Sequence, residues 1–316
     1  MLIGITGATG SLGRRLTEIL IKQGYNVRCL VRKNSNYEFL INEKVEIIYG
    51  DILDFNSLKL FVNDLDICIH LAAQVSKSKK KVLFNINVNG SINICEALLQ
   101  FNPSCRFLYC SSIVVRNYKS YKKLFYSDYT ISKYKAEKAI NKYMKKLKTT
   151  IIYPGYIYGY YDNLVIPTIK NMLKNGLDFL VKGGERNAPI IFVDDLCDLF
   201  IKAMLNDNAI NKKYVSLQEN SLGMHYVVKK VANILNYQTP KKIYSKFLIR
   251  IIMKIYKCRN KLFKSNKNIL SLREINILSN SAIYFNNAKE DINWEQKTSI
   301  DEGLNKAVEF YIKYNK

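Results

Sequence analysis

Histidine is nearly absent from this 316-residue chain, which holds only His70 and His225. A zinc centre built from three or four nitrogen and sulfur ligands is therefore not expected. The seven cysteines, Cys29, Cys68, Cys95, Cys105, Cys110, Cys197 and Cys258, contain no CxxC pair. Cys29, Cys68 and Cys110 lie in apolar runs, so the set reads as buried free thiols in a reducing, cytoplasmic compartment. No apolar stretch reaches transmembrane length. The N-terminus enters a strand pattern directly, so no leader is expected. No repeat, low-complexity segment or long linker is found. Acidic residues are also scarce: 26 Asp and Glu stand against 49 Lys and Arg, a formal charge of +23. That charge would suit nucleic acid, an anionic membrane or a phosphorylated substrate. The lysines are scattered, however, and Asn, Ile and Tyr are abundant beside them, as AT-rich coding produces. The charge is read as compositional, and nucleic acid is not expected as a partner.

What is present begins at residue 2. Leu2 to Ile5 is a short apolar run, and Gly7, Gly10 and Gly13 follow at once. A helical pattern then starts, with Leu12, Leu16, Ile19 and Leu20 on one face. A strand that turns through glycines into a helix makes a phosphate site. The glycines allow a tight turn and let backbone N–H groups approach the anion, and the helix N-terminus adds about half a positive charge. The position between strand and helix points to dinucleotide binding.

Short strands alternate with helical patterns through the first half. Val27–Val31, Val45–Tyr49, Ile67–Leu71, Phe107–Cys110 and Thr150–Tyr153 read as strands, and Asn87–Leu99 and Ser127–Leu147 as helices. This predicts an α/β protein with a doubly wound parallel sheet and ligands at the carboxyl ends of its strands. After Gly159 the alternation becomes irregular, and from about Asn206 the chain reads as mostly helical and basic. The expected organisation is a dinucleotide-binding domain over 1–159, to which the chain returns around 188–205. A smaller C-terminal substrate lobe would hold 160–187 and 206–316.

The second strand ends Leu30-Val31-Arg32-Lys33, without an acid to bind ribose hydroxyls. A guanidinium there can fork onto a 2′-phosphate, so NADP is expected ahead of NAD. Tyr129 and Lys133, four apart, share a helix face. A neighbouring ammonium favours the phenolate and fits a tyrosine for acid–base work. In a chain with 23 tyrosines the pair gains weight only from its place after the fifth strand. That strand ends Cys110-Ser111-Ser112, with two hydroxyls where substrate should sit.

With these residues in place, the chain resembles the extended short-chain dehydrogenase/reductases, the NAD-dependent epimerase/dehydratase group. The resemblance rests on Thr6-Gly7-Ala8-Thr9-Gly10-Ser11-Leu12-Gly13, Gly50-Asp51-Ile52, Leu71-Ala72-Ala73, Asn87 to Ser91, Ser111-Ser112, Tyr129 to Lys133, Pro154 to Gly159 and Phe192 to Asp195. Ala288-Lys289 through Trp294 resembles the group's C-terminal segment. The resemblance implies Tyr129 as acid/base, Lys133 lowering its pKa and holding the nicotinamide ribose, and Ser112 as third catalytic residue, with Ser111 as fallback. It implies Gly7, Thr9, Gly10, Ser11, Leu12 and Gly13 around the pyrophosphate and Asp51 and Ile52 at the adenine, while Arg32 is placed at the adenosine ribose by the end of the second strand. Leu71, Ala72, Ala73, Asn87, Tyr153, Pro154 and Gly155 complete the implied cofactor cleft, and no metal is implied.

Departures are also visible. Tyr153 stands where arginine commonly precedes Pro-Gly. Arg116-Asn117 follow Val115 where the group's serine run continues toward Tyr-Gly. Asn187 to Ile190 lacks the arginine that sugar-nucleotide enzymes often carry, with Arg186 slightly earlier. The expected function is hydride transfer at a hydroxyl or carbonyl carbon of a small molecule: a ketone, sugar or nucleotide sugar. The net reaction is a reduction, or else an epimerisation or dehydration through a transient keto intermediate. A dinucleotide-sensing scaffold on the same fold is the non-enzymatic alternative. A homodimer is compatible with the chain.

One stretch falls outside this pattern. Lys242, Lys246, Arg250 and Lys254 recur every four residues, and Ile243, Phe247, Ile251 and Ile255 recur beside them with Leu248 and Ile252. The series predicts a basic amphipathic helix. The expectation is a lobe helix that packs its apolar face inward and shows its lysines to water. An anionic membrane surface is the rival reading.

Overall fold

In the computed structural model, six strands of the first half and one later strand form a seven-stranded parallel sheet. The structure describes residues 1–314 apart from 43, 76–77, 119–125, 177, 219–221, 263–271 and 281–285. In chain order the first elements are β1 (Leu2–Thr6), α1 (Ser11–Lys22), β2 (Asn26–Val31), β3 (Val45–Tyr49), α2 (Phe55–Val62), β4 (Ile67–His70), α3 (Lys80–Phe84), a π-helical turn (Asn85–Asn89) and α4 (Gly90–Phe101). Then come β5 (Arg106–Cys110), α5 (Ile113–Arg116), α6 (Asp128–Tyr143) and β6 (Lys148–Pro154). The chain continues through β7 (Tyr156–Tyr158), α7 (Val165–Lys174), β8 (Phe179–Val181), β9 (Ile190–Phe192), α8 (Val193–Leu205) and β10 (Lys213–Ser216). It ends with α9 (Met224–Ile234), β11 (Lys242–Tyr244), α10 (Lys246–Leu262), α11 (Leu272–Ser279), α12 (Ala288–Ile292) and α13 (Ile300–Tyr314).

The sheet order is β10-β6-β5-β4-β1-β2-β3, and every adjacent pair is parallel. The order reverses between β1 and β4. Parallel neighbours need crossover connections, and α1, α2, α4 and α6 lie on them. Strands buried on both faces must be apolar throughout, and Ile3, Ile5, Cys68, Ile69, Phe107, Leu108 and Ile151 are fully buried. In α1, Leu12, Leu16 and Leu20 recur at i, i+4 and are buried, each worth about 1.5–3 kcal/mol of transfer free energy.

The chain divides into two units. The first holds Met1–Gly155, Asp194–Ser216 and Asn286–Glu295. The second holds Tyr156–Val193, Leu217–Phe285 and Gln296–Lys316, around a core that includes Tyr158, Ile166, Ile169, Val227 and Leu304. These bounds differ from 1–159 with a return at 188–205, and from a lobe of 160–187 and 206–316. The four-residue β10 is too short to show a period, yet it pairs with β6 from Lys213↔Ile151 to Ser216↔Pro154. Asp291 returns to the same unit, where its carboxylate accepts from the Tyr214 hydroxyl at 3.1 Å.

Three further expectations are corrected. Residues 80–101 form a run of 22 helical residues long and apolar enough to cross a membrane by length and composition. Ile94, Cys95, Ala97 and Leu98 in it are fully buried, which makes it a core helix here. Cys110 is half-buried rather than buried, and the Cys258 side chain lies outside the described residues. The basic amphipathic helix does not begin at Lys242, because Lys242–Tyr244 pairs with β8. Ser245 Oγ then accepts from the Leu248 N–H at 3.2 Å and opens α10. Among the described residues of α10 the buried side chains are Ile249 and Met253, not the Phe247, Ile251, Ile255 series, which is exposed.

Candidate active site

The glycine loop is shaped by two close approaches. Gly7 has φ +77°, and a Cβ on it would lie 2.7 Å from the Ala72 nitrogen. A Cβ on Gly13 would lie 2.2 Å from the Gly7 carbonyl oxygen. Gly10 is different: it is exposed, and its nearest neighbour would be 3.3 Å away. Gly10 caps α1 in extended geometry, with no side-chain cap bond and no acid in the first turn. The first N–H groups of α1 therefore face no fixed anion, and the positive end of the helix opens beside half-buried Thr9 and Ser11. Leu12 and Gly13 are buried beneath it.

The end of β4 is tied to this loop through His70. Thr6 Oγ1 lies 2.6 Å from His70 Nδ1 and accepts from the Ala72 N–H at 3.3 Å. His70 Nε2 lies 3.0 Å from Ser91 Oγ, which donates to the Asn87 carbonyl at 2.8 Å. Because the Ser91 proton is given to Asn87, Nε2–H is the donor and Nδ1 accepts the Thr6 hydroxyl. The ring is neutral, and burial, with Lys133 nearby, pushes its pKa down to about 3. Leu71, Ala72 and Ala73 follow half-buried.

Asn87 sits in the π-helical turn, a distortion frequent at functional sites. Its Oδ1 accepts from the Gln74 N–H at 2.8 Å, and its Nδ2 donates to the Gln74 carbonyl at 3.1 Å and to Ser132 Oγ at 2.9 Å. Asn87 thus binds the segment after β4 to α6.

Helix α6 starts where Ser127 Oγ accepts from the Thr130 N–H. Tyr129, Lys133 and Glu137 follow at four-residue spacing and share a face. Tyr129 is half-buried and Lys133 is 2% exposed. Lys133 Nζ donates to the Cys110 carbonyl at 2.8 Å and lies 4.3 Å above the Tyr109 ring. Burial lowers its pKa to about 8, with Cys110 and Glu137 opposing. Ser111 and Ser112 part company here. Ser111 is buried and donates to Glu137 Oε2 at 2.8 Å. Ser112 is half-buried at the start of α5, with no side-chain cap bond.

The Tyr153 side chain, expected at the cofactor, is turned to Glu137. It is 1% exposed, and its hydroxyl donates to Glu137 Oε1 at 2.6 Å. The Arg116 guanidinium lies 5.3 Å from its ring centroid. Pro154 is buried within β6, and the Gly155 N–H bonds to the Ser216 carbonyl at 3.0 Å. Arg32 is exposed at the end of β2. Asp51 accepts from the Leu53 N–H at 2.9 Å, and Ile52 packs against Gly90. Sequence reasoning missed Glu137, Ser132, Gln74 and the Thr6–His70–Ser91 chain. Glu137 had a signal in its spacing, two turns beyond Tyr129; the others have none without the tertiary contacts.

A glycine loop at the switch point of a doubly wound sheet, with a buried lysine held at the end of β5, defines a dinucleotide-binding α/β protein. The model of the NAD dependent epimerase/dehydratase family matches residues 3–217, and the chain belongs to that family. Protein CapI of Staphylococcus aureus is 26% identical over 345 residues, covering 100% of each chain. UDP-glucose 4-epimerase of Thermotoga maritima, solved with UDP-glucose, is 20% identical at TM-score 0.75, covering 100% of each chain. UDP-glucuronic acid 4-epimerase of Bacillus cereus, in complex with NAD, is 18% identical at TM-score 0.75, again covering 100% of each. The structural likenesses concern the fold.

Proposed function

We propose that this chain is an NAD(P)-dependent enzyme acting at a hydroxyl- or carbonyl-bearing carbon, with Tyr129 as acid/base. The observation that carries the reading is the Lys133 ammonium, buried on the end of β5 one helical turn from Tyr129. An ammonium there favours the phenolate form of Tyr129 and readies it to take a proton from a substrate hydroxyl. Ser112 supplies a hydroxyl to the same oxygen, because Ser111 is committed to Glu137. A bound nicotinamide supplies the hydride acceptor and donor. The loop fits such a group: Gly7 and Gly13 leave no room for side chains, Gly10 is exposed, and the first turn of α1 brings no acid of its own. Gly7, Thr9, Gly10, Ser11, Leu12 and Gly13 would hold the pyrophosphate, and Asp51 and Ile52 would border the adenine. Leu71, Ala72, Ala73, Asn87, Pro154 and Gly155 would line the cleft.

The substrate reading is a nucleotide sugar, epimerised or dehydrated through a transient keto form. It is supported by family membership and by relatives that are themselves nucleotide-sugar 4-epimerases. Net reduction of a ketone or aldehyde is the second reading, favoured by Asn187 to Ile190, which lacks an arginine. For the cofactor, exposed Arg32 supports NADP, while relatives solved with NAD support NAD for themselves. The free thiols among the described cysteines support a reducing, cytoplasmic setting.

The experiment incubates the full chain with either cofactor and a panel of nucleotide sugars, keto sugars and simple ketones. Products are separated, and cofactor absorbance is followed. Tyr129→Phe should lower turnover by roughly two to four orders of magnitude while cofactor affinity is kept. Turnover unchanged in Tyr129→Phe would remove the acid/base assignment. Calorimetry with both cofactors on the parent and on Arg32→Ala decides the 2′-phosphate question.

A further inference from the structure

Among the described residues of helix α10 there are two apolar sides, one buried and one exposed. Ile249 and Met253 are 1% and 7% exposed and belong to the core of the second unit. On the other side, Phe247 is 72% exposed, Ile255 61%, Leu248 41% and Ile251 39%. At about 100° per residue, Phe247, Ile251 and Ile255 climb one stripe, with Leu248 at its edge. Arg250 and Lys254 lie along the border of that stripe, at i+3 from Phe247 and Ile251, and both are exposed. Among the described residues no carboxylate pairs with either cation. Lys242 does have a partner, Asp178 at 3.7 Å, and is left out of the argument.

The surrounding sequence has one sign of charge. Residues 243–273 hold nine Lys or Arg and no Asp or Glu. No other acid-free run in the chain holds more than five Lys or Arg. This contrast overrides, for this segment, the reading of the charge as compositional scatter.

We propose that α10 docks in the plane of an anionic bilayer surface, with Phe247, Leu248, Ile251 and Ile255 entering the acyl boundary. Arg250 and Lys254 lie at headgroup level, their stems along the apolar stripe and their charges in the lipid phosphates. The charge selects this occupant. A second copy placed symmetrically on the stripe would set one acid-free basic segment against another, cation to cation. Nucleic acid would meet the cations but would leave aliphatic Ile251 and Ile255 without a partner. An anionic lipid surface answers both the charge and the apolar stripe.

The test is co-sedimentation of the full chain with vesicles of phosphatidylcholine alone, and of phosphatidylcholine mixed with phosphatidylglycerol. Sedimentation with the mixed vesicles at low salt, absent with phosphatidylcholine alone and weakened near 1 M salt, where the Debye length is about 3 Å, is the expected result. Arg250→Gln with Lys254→Gln should lower the partition coefficient about thirtyfold, from roughly fivefold per surface cation. Phe247→Ser with Ile251→Ser should lower it at least tenfold. The altered residues are exposed, and circular dichroism melts check that both variants fold. If one variant fails to fold, the other and the salt series still decide. The proposal is overturned if the mixed vesicles leave the chain in the supernatant, or if neither folded variant weakens binding. It is equally overturned if Phe247→Ser with Ile251→Ser converts a dimer into a monomer. Binding to an oligonucleotide that displaces the vesicles and is indifferent to that variant also overturns it.

Discussion

Tyr153 donates its hydroxyl to Glu137 Oε1 at 2.6 Å, joining the end of β6 to the helix that carries Tyr129 and Lys133. Ser111 donates to the other oxygen of the same carboxylate at 2.8 Å, so one buried side chain on α6 fixes two adjacent strand ends. Tyr153 thus meets the Glu137 carboxylate with a neutral donor. Burial and the Glu137 charge both raise the Tyr153 pKa, which keeps the phenol protonated and donating.

Removing that hydroxyl should weaken the fold more than its size suggests. A hydrogen bond to a charged group is worth about 1.5–3 kcal/mol, and Tyr153→Phe leaves Glu137 with one fewer donor. Urea unfolding should show a loss of that order, and Glu137→Gln should reduce the loss in a double-mutant cycle. A Tyr153→Phe variant as stable as the parent would show that the bond contributes nothing.

The buried Lys133 makes stability depend on alkaline pH. Its pKa is about 8 in the fold against 10.5 in the unfolded chain. Below about pH 8 both states carry the proton, and the burial penalty of about 3 kcal/mol is fully present. Between about 8 and 10.5 the unfolded chain binds more protons, so stability rises with pH. The parent should gain on Lys133→Met across that window in urea midpoints, and a constant difference would refute the assignment. Free-enzyme kcat/KM should decline above about pH 8 as the ammonium is lost.

His70 acts at the opposite end of the scale. It stays neutral in the fold down to about pH 3, while the unfolded ring takes a proton near 6.5. Below 6.5 the unfolded state therefore gains protons, and stability should fall by about 1.4 kcal/mol per pH unit from this group. His70→Gln should show a shallower acid slope by chemical denaturation. Parallel slopes would mean that the Thr6–His70–Ser91 chain tolerates the charged ring.

The three loop glycines should not respond alike to alanine. Gly13→Ala sets a methyl 2.2 Å from the Gly7 carbonyl, and Gly7→Ala sets one against the Ala72 backbone at positive φ. Each should lose about 1–3 kcal/mol of stability and cofactor binding together. Gly10→Ala meets only the Gly7 carbonyl oxygen, at 3.3 Å, so its thermal loss should be smaller than at the other two positions while cofactor affinity falls. Equal thermal losses at all three positions would contradict the geometry.

Much of the fold was legible in the sequence because parallel strands are short apolar runs and their helices carry a 3.6-residue period. Val45–Tyr49 matches its strand residue for residue, and Leu2, Val27 and Ile67 each lie within one residue of a strand's start. The glycine spacing and the Tyr129–Lys133 interval are local, so the loop and the shared helix face follow from chain order alone. What local pattern cannot encode is partnership across the chain. Which of two adjacent serines is engaged was decided by Glu137, twenty-six residues from Ser111. The state of His70 was decided by Thr6 and Ser91. The same holds for α10. Its period announces an amphipathic helix, but Ile249 and Met253 lie only two residues from the Phe247, Ile251, Ile255 series. Packing in the second unit alone determined which series went inside and which was left facing outward.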